Sequence, residues 1–221
     1  MHPARENDLS LADRVAIELR ADIIGGQLLP GMALVESELV KAYSASRNTV
    51  REALHHLGRE GLTRYVRNKG VMVRRMTVAD VRDIFQVRRT LELQALGGRQ
   101  PLSESRLAWM ADAIEAAGLA QEREDWQAFG THSLRFHQHI VGLLRSPLLD
   151  EFFTQVAAQL RLVFSSATSE ENFQKPWLDR DRQIHELLSD GRQQDAHEAM
   201  SLYLHDSEHE LLAIFSRTGK P

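Results

Sequence analysis

One stretch, Ser46-Arg47-Asn48-Thr49-Val50-Arg51-Glu52-Ala53-Leu54, constrains this chain more than any other. Ser46 has a side-chain oxygen of the kind that caps a helix N-terminus. Val50, Ala53, Leu54 and Leu57 recur at spacings of three and four, so the helix that follows buries one stripe. That burial leaves Arg47, Asn48 and Arg51 facing outward at its leading end. A cationic, amide-bearing helix N-terminus is the geometry that enters a DNA major groove, with Arg read against guanine and Asn against adenine.

The flanking residues supply a frame for such a helix. Leu11, Val15, Leu19 and Ile23 predict a helix over Leu9–Ile24, stopped by Gly25-Gly26. Leu29-Pro30-Gly31 reads as a turn. A second helix over about Glu36–Tyr43 buries Leu39 and Val40, and Ser44-Ala45 connects it tightly to Ser46. Two helices joined so closely, the second basic at its start, make a helix-turn-helix. After Gly61, the β-prone runs 62–66 and 71–74 flank Arg67-Asn68-Lys69-Gly70. They predict a hairpin, or wing, able to reach the sugar–phosphate backbone.

Charge separates this segment from the rest. Residues 1–75 carry 12 Lys/Arg and 9 Asp/Glu, residues 76–221 carry 15 and 22, and within 44–75 the balance is 8 to 2. A basic segment inside a chain of net charge −4 is the footprint of a nucleic-acid module joined to something else. With 221 residues, 43% hydrophobic and 26% charged, two modest globular domains are expected. No apolar run approaches the ~18 residues of a membrane helix. The opening residues Met1–Asp8 are polar and lack the apolar core of a signal peptide. The absence of cysteine removes disulfides and thiolate metal sites, so a cytoplasmic home is the default expectation.

The helix, helix, recognition helix and wing, with Leu-Leu-Pro-Gly-Met-Ala-Leu-Val-Glu-Ser-Glu-Leu, Ser-Arg-Asn-Thr-Val-Arg-Glu-Ala-Leu and Glu-Gly-Leu, resemble the GntR family of bacterial transcription regulators over about 9–75. The resemblance implies that Arg47, Asn48 and Arg51 contact double-stranded operator DNA, with Ser46, Thr49 and the wing residues Lys69 and Gly70 alongside. Ser37 stands where some relatives carry a base-reading Arg in the second helix, so no base-reading role is assigned to it.

From Thr77, with Asp80 as its capping-box partner, the pattern is helical: about 78–98, 103–121, 126–144, 148–167, 178–190 and 193–216. Breaks are expected at Gly97-Gly98 with Pro101, Glu124-Asp125, Ser146-Pro147, Lys175-Pro176 and around Gly191. Val87-Arg88-Arg89-Thr90-Leu91-Glu92, Arg135-Phe136-His137 and Gln159-Leu160-Arg161-Leu162 resemble the FCD class of GntR regulators. That class implies an all-helical C-terminal bundle that binds a small effector and forms a homodimer. The expected fold is therefore mostly α: a winged helix-turn-helix domain over 1–75 and an all-α effector and dimerisation domain over 76–221.

Ten histidines raise the question of a metal. His205 and His209 share a helix face four residues apart, but the apolar stripe Met200, Leu204, Leu211 and Phe215 turns them to solvent. His137 points inward with Ser133, Ile140 and Leu144. In many relatives a carboxylate or amide precedes the matching His by four residues, and two later histidines complete a metal site. By alignment those positions are Ser133, Asp181 and Tyr203 here. Hydroxyls are poor ligands for a borderline divalent ion, so no metal cofactor is expected, a divalent ion at His137 and Asp181 being the alternative. The remaining lining is Arg88, Ser133, His137, Arg161, Asp181 and Tyr203. A buried Arg asks for an internal carboxylate or a bound acid. Glu92 can supply the first for Arg88, and Arg161 has no local carboxylate. The expected effector is a small organic acid bound directly. The rival readings are a metal-dependent effector site, an enzyme using the His/Asp/Tyr cavity, and a non-specific DNA binder. No nucleophile motif, phosphate loop or H-E-x-x-H site supports the enzyme.

Overall fold

A computed structural model describes residues 9–98, 102–165 and 170–217. The chain divides between Met76 and Thr77 into two compact units. The polar opening residues and the break at Pro101 lie outside the described residues.

In the first unit, α1 (Leu11–Ile24), α2 (Glu36–Ala42) and α3 (Arg47–Arg59) precede the strands β1 (Thr63–Val66) and β2 (Gly70–Val73). A capping box starts α1: Ser10 Oγ accepts from Asp13 N at 3.1 Å, and Asp13 Oδ2 accepts from Ser10 N at 3.1 Å. Its buried residues are Ala12, Val15, Ala16, Leu19 and Ile23; Leu11, expected inside, is exposed. Val40 is half-buried where burial was expected. The α1 stripe packs on the α3 stripe Val50, Ala53, Leu54 and Leu57, all four buried. Arg20 pairs with Glu60 just past α3, and Tyr43 donates to Asp22, so α1 is tied to both later helices. Ser44 takes a left-handed φ of 49°, which turns the chain between α2 and α3 within the four residues Tyr43–Ser46.

The hairpin pairs Thr63 with Val73 and Val66 with Gly70, so its loop is Arg67–Lys69, one residue shorter than the sequence suggested. Asn68 supplies the left-handed turn at φ 64°. The segment after Pro30 is more than a turn. Gly31 N donates to Val73 O at 2.9 Å and Leu34 N to Val71 O at 2.8 Å, so residues 31–34 run along the free edge of β2.

The second unit is helical throughout its described residues: α4 (Val78–Leu96), α5 (Glu104–Glu122), α6 (Trp126–Val141), α7 (Pro147–Phe164), α8 (Glu170–Gln174), α9 (Trp177–Ser189) and α10 (Gln193–Arg217). Thr77 and Asp80 form the expected capping box, and Ser146 Oγ caps α7 with Pro147 in its first turn. Two helix ends and one extra helix differ from expectation. α6 stops at Val141 and a 3-10 turn carries the chain to Leu144, α7 ends at Phe164, and the short α8 was not anticipated. α5 packs on α6 and α10 on α4. The buried core of this unit includes Phe85, Met110, Phe129, Phe136 and Ile140, with Phe153, Leu160 and Leu162 from α7.

Ser46 is the N-cap of α3, its Oγ accepting from Thr49 N at 3.2 Å. Ser46→Ala should therefore lower the unfolding free energy by about 1 kcal/mol, and Ser46→Asp should keep most of it. Denaturant titration of the three proteins measures this. Equal midpoints would show that the cap contributes nothing.

Candidate functional site

The leading turn of α3 presents Arg47 and Asn48 to solvent, and neither makes an ion pair or side-chain hydrogen bond with a described residue. Ser46 and Thr49 are spent locally, their hydroxyls 2.8 Å apart across the cap. Arg51 is also exposed, but its Nε lies 2.9 and 3.0 Å from the Glu36 carboxylate oxygens of α2. An exposed pair of this kind contributes little stability and gives way readily to a phosphate. Lys69 is exposed at the wing tip, next to Gly70 at φ 80°.

Sequence reasoning missed the surface between helix and wing. His55 and Arg59 of α3 and Arg64 and Tyr65 of β1 wall a groove of about 420 Å³. Arg59 and Arg64 face solvent without a carboxylate partner among the described residues, and Tyr65 is 76% exposed. The excess of basic residues over 44–75 already contained these arginines; what was missing was their common face.

The residues expected to line a polar site in the second unit are all buried, and most of them are hydrogen-bonded to one another or to Glu92. Arg88 Nε donates to Glu92 Oε1 at 2.7 Å, one turn along α4. Glu92 Oε2 meets His137 Nδ1 at 2.6 Å, and Ser133 Oγ donates to Asp181 Oδ2 at 2.8 Å. His137 Nε2 faces Asp181 Oδ1 at 3.6 Å, and Tyr203 packs its ring edgewise on His137 with centroids 4.8 Å apart. Burial by itself would raise Glu92, but the charges of Arg88 and His137 and their hydrogen bonds outweigh it and hold the carboxyl below its ordinary 4.5. An ionised carboxylate only accepts, so the Nδ1 proton points at Glu92. Burial dominates at Asp181 and raises it from 3.8 to about 6, with Glu92 adding and His137, Ser133 and Arg88 opposing. Burial and the Asp181 charge push the Tyr203 phenol well above 10.

Arg88, Ser133, His137 and Tyr203 line one internal cavity of about 10 Å³, room for about one water. Trp177, Gln174 and Phe173 close it. Asp181 reaches the cavity through Ser133 and His137. Arg161 is buried one layer out, where it and Gln174 approach the bare face of Gly130; a Cβ there would lie 2.5 Å from Arg161 Nη1. His205 and His209 are exposed on α10.

The sequence profile of the bacterial regulatory proteins of the gntR family matches residues 11–73, and that of the FCD domain matches residues 83–206. The chain belongs to the GntR family, FCD class. A GntR transcriptional regulator from Rhodococcus sp. RHA1, seen in a crystal structure, superposes with a TM-score of 0.89 at 33% identity, over 93% of this chain and 99% of that one. An HTH-type transcriptional regulator of Agrobacterium vitis is 31% identical over 117 residues, 51% of this chain and 68% of its own length. The galactonate operon transcriptional repressor of Escherichia coli K12 is 26% identical over 175 residues, 71% of this chain and 76% of its own length. Membership makes this GntR chain a DNA-binding transcriptional regulator and not an enzyme.

The metal site of many FCD relatives does not fit the residues present. A divalent ion bound at three or four positions needs carboxylate or imidazole donors. Here the set is one imidazole, one carboxylate, the Ser133 hydroxyl already donating to Asp181, and a phenol that stays protonated. His137 Nε2 remains open, since only Nδ1 is turned to Glu92, but one nitrogen and one carboxylate are too few donors, and the Arg88 guanidinium beside Glu92 adds a positive charge that a cation would meet.

The folded chain holds the Asp181 proton more tightly than the unfolded chain does, so this group favours folding at low pH. That contribution is complete below the ordinary 3.8 and lost as pH climbs through about 6. Asp181→Asn keeps an acceptor for Ser133 and cannot ionise. Relative to wild type it should gain on the order of 2–3 kcal/mol between about pH 4 and about pH 7. Denaturant unfolding across that range measures the difference; parallel curves would contradict it.

Proposed function

We propose that this GntR regulator is a homodimeric, cytoplasmic repressor whose operator affinity is set by a small organic acid bound directly, without metal, in the FCD domain. The DNA half of this reading is carried by the exposed, uncommitted Arg47 and Asn48 at the N-terminus of a helix whose other face is fully buried. Arg47 and Asn48 read base edges, and Arg51 leaves Glu36 for the operator. Ser46 and Thr49 bring the α3 N-terminus to a phosphate, and Lys69 and Gly70 meet the sugar–phosphate chain. Arg59, Arg64 and Tyr65 extend that basic track. Two such helices about a two-fold axis read successive major grooves of a pseudo-palindrome.

The effector half is supported by Arg88, buried with one terminal nitrogen lacking a partner on an internal cavity. Ser133, His137 and Tyr203 share that wall, while Asp181 and Arg161 hold the layer behind it. The similarity to a protein named as repressor of a galactonate operon supports both the repressor role and the organic-acid class. Acid binding needs to shift operator affinity by a coupling of only ~1–3 kcal/mol to change occupancy several-fold or more.

Arg47→Ala should cost roughly 1–3 kcal/mol of operator binding and relax base preference, whereas Lys69→Ala should weaken all sequences alike and flatten the salt dependence. Fluorescence anisotropy on operator and scrambled duplexes at several salt concentrations separates the two. Unchanged operator affinity in Arg47→Ala would show that α3 is not the reading helix.

A further inference from the structure

The cavity beside Arg88 is walled by rings. Centroids lie 5.1 Å apart for Phe164 and Phe173, 5.9 Å for Phe173 and Trp177, and 4.8 Å for Trp177 and Tyr203. Phe85 and Leu134 complete the apolar part of the lining. Most polar groups on the wall are already engaged within the protein. Ser133 donates to Asp181, Gln174 Nε2 to Trp126 O at 3.1 Å, Ser207 Oγ to Leu204 O at 3.5 Å, and His137 Nδ1 faces Glu92.

His137 Nε2 also lacks a hydrogen bond but faces the Asp181 carboxylate at 3.6 Å, which leaves two donors on this wall standing apart. Arg88 Nη2 and Trp177 Nε1 are buried and make no hydrogen bond, in residues only 2% and 4% exposed. Such orphans are rare inside a folded chain and ask for an acceptor. A carboxylate supplies two acceptor oxygens and a charge to match the guanidinium. The remainder of the ligand has to live among rings. Each hydroxyl of a polyhydroxylated acid would need its own partner here, where most polar groups are already engaged and the rest of the wall is rings, so its desolvation would go largely uncompensated. An aromatic ring carries no such demand and packs favourably edge-on or offset against its neighbours.

We propose that the effector is an aromatic monocarboxylic acid. Its carboxylate accepts hydrogen bonds from Arg88 Nη2 and Trp177 Nε1, and its ring packs among Phe164, Phe173, Trp177 and Tyr203. This rests on the reading of the cavity as the effector site and narrows the class of acid. With about 10 Å³ free, the rings of α7, α8 and α9 have to part, and the ligand's ring takes over contacts they now make with one another. The ligand thus binds an opened form better than the closed one, which is what a coupled effector requires.

The test uses the full chain, with thermal-shift and calorimetric titration against benzoate, phenylacetate, benzyl alcohol, acetate and galactonate. Benzoate or phenylacetate should raise the melting temperature and bind at least tenfold tighter than galactonate or acetate, and benzyl alcohol should not bind. Trp177→Phe keeps a ring and removes one donor, so it should fold normally and lose about tenfold in affinity for the aromatic acid. Binding of galactonate but neither aromatic acid would overturn the aromatic class while leaving a directly bound organic acid standing. Binding of no carboxylate at all would overturn both. Equal affinity in Trp177→Phe would overturn the placement.

Discussion

The apolar stripe Val50, Ala53, Leu54 and Leu57 on α3 packs against Val15, Leu19 and Ile23 of α1, and this packing decides where Arg47 and Asn48 point. Each of the larger side chains contributes ~1.5–3 kcal/mol on burial, far more than any exposed charge contributes to the fold. The helix therefore cannot roll to hide its arginines. Its Ser46 cap and the ties from Tyr43 to Asp22 and Arg20 to Glu60 fix the two ends. The basic surface is free for a partner because packing elsewhere holds the helix in place.

The second unit uses the opposite arrangement, with charges inside. Arg88, Glu92, His137 and Asp181 form a buried chain that spans α4, α6 and α9. An unpaired ion would be costly in that environment, so Glu92 stays ionised between two partners, and Asp181, with weaker support, holds its proton more tightly than usual. Arg88 Nη2, buried and without a hydrogen bond among the described residues, belongs to a residue that lines the aromatic cavity. On the proposed reading, this closed, ring-walled site next to a charge serves as a two-state element that an acid preferring its open form biases.

How much of this could be read beforehand follows the range of the interactions involved. The Ser46 cap, the α3 stripe and the Thr77–Asp80 box are local and were legible in the spacing of residues. So was the option of Arg88 pairing with Glu92 one turn away. The Glu92–His137 contact, 45 residues apart, left no periodic trace, and neither did the Arg51–Glu36 pair, 15 residues apart. Leu29-Pro30-Gly31 read as a turn, and the pairing of the residues just after it with β2 depends on a strand 39 residues on from Ala33. The five residues of α8 are too few for a 3.6-residue period to register. Nothing in the local pattern marked Trp177; that its indole closes a cavity follows from the meeting of α7, α8 and α9.

The central claim is that the charged tip of α3 enters a DNA groove and distinguishes sequences there. The most direct measurement is selection of fragments from the organism's own sheared genome by the purified protein, followed by dimethyl sulfate footprinting of what is retained. The account predicts a few strongly enriched fragments, with guanine N7 atoms protected in the major groove at two symmetry-related positions. Retention spread evenly over the genome, with no protected guanine, would contradict it.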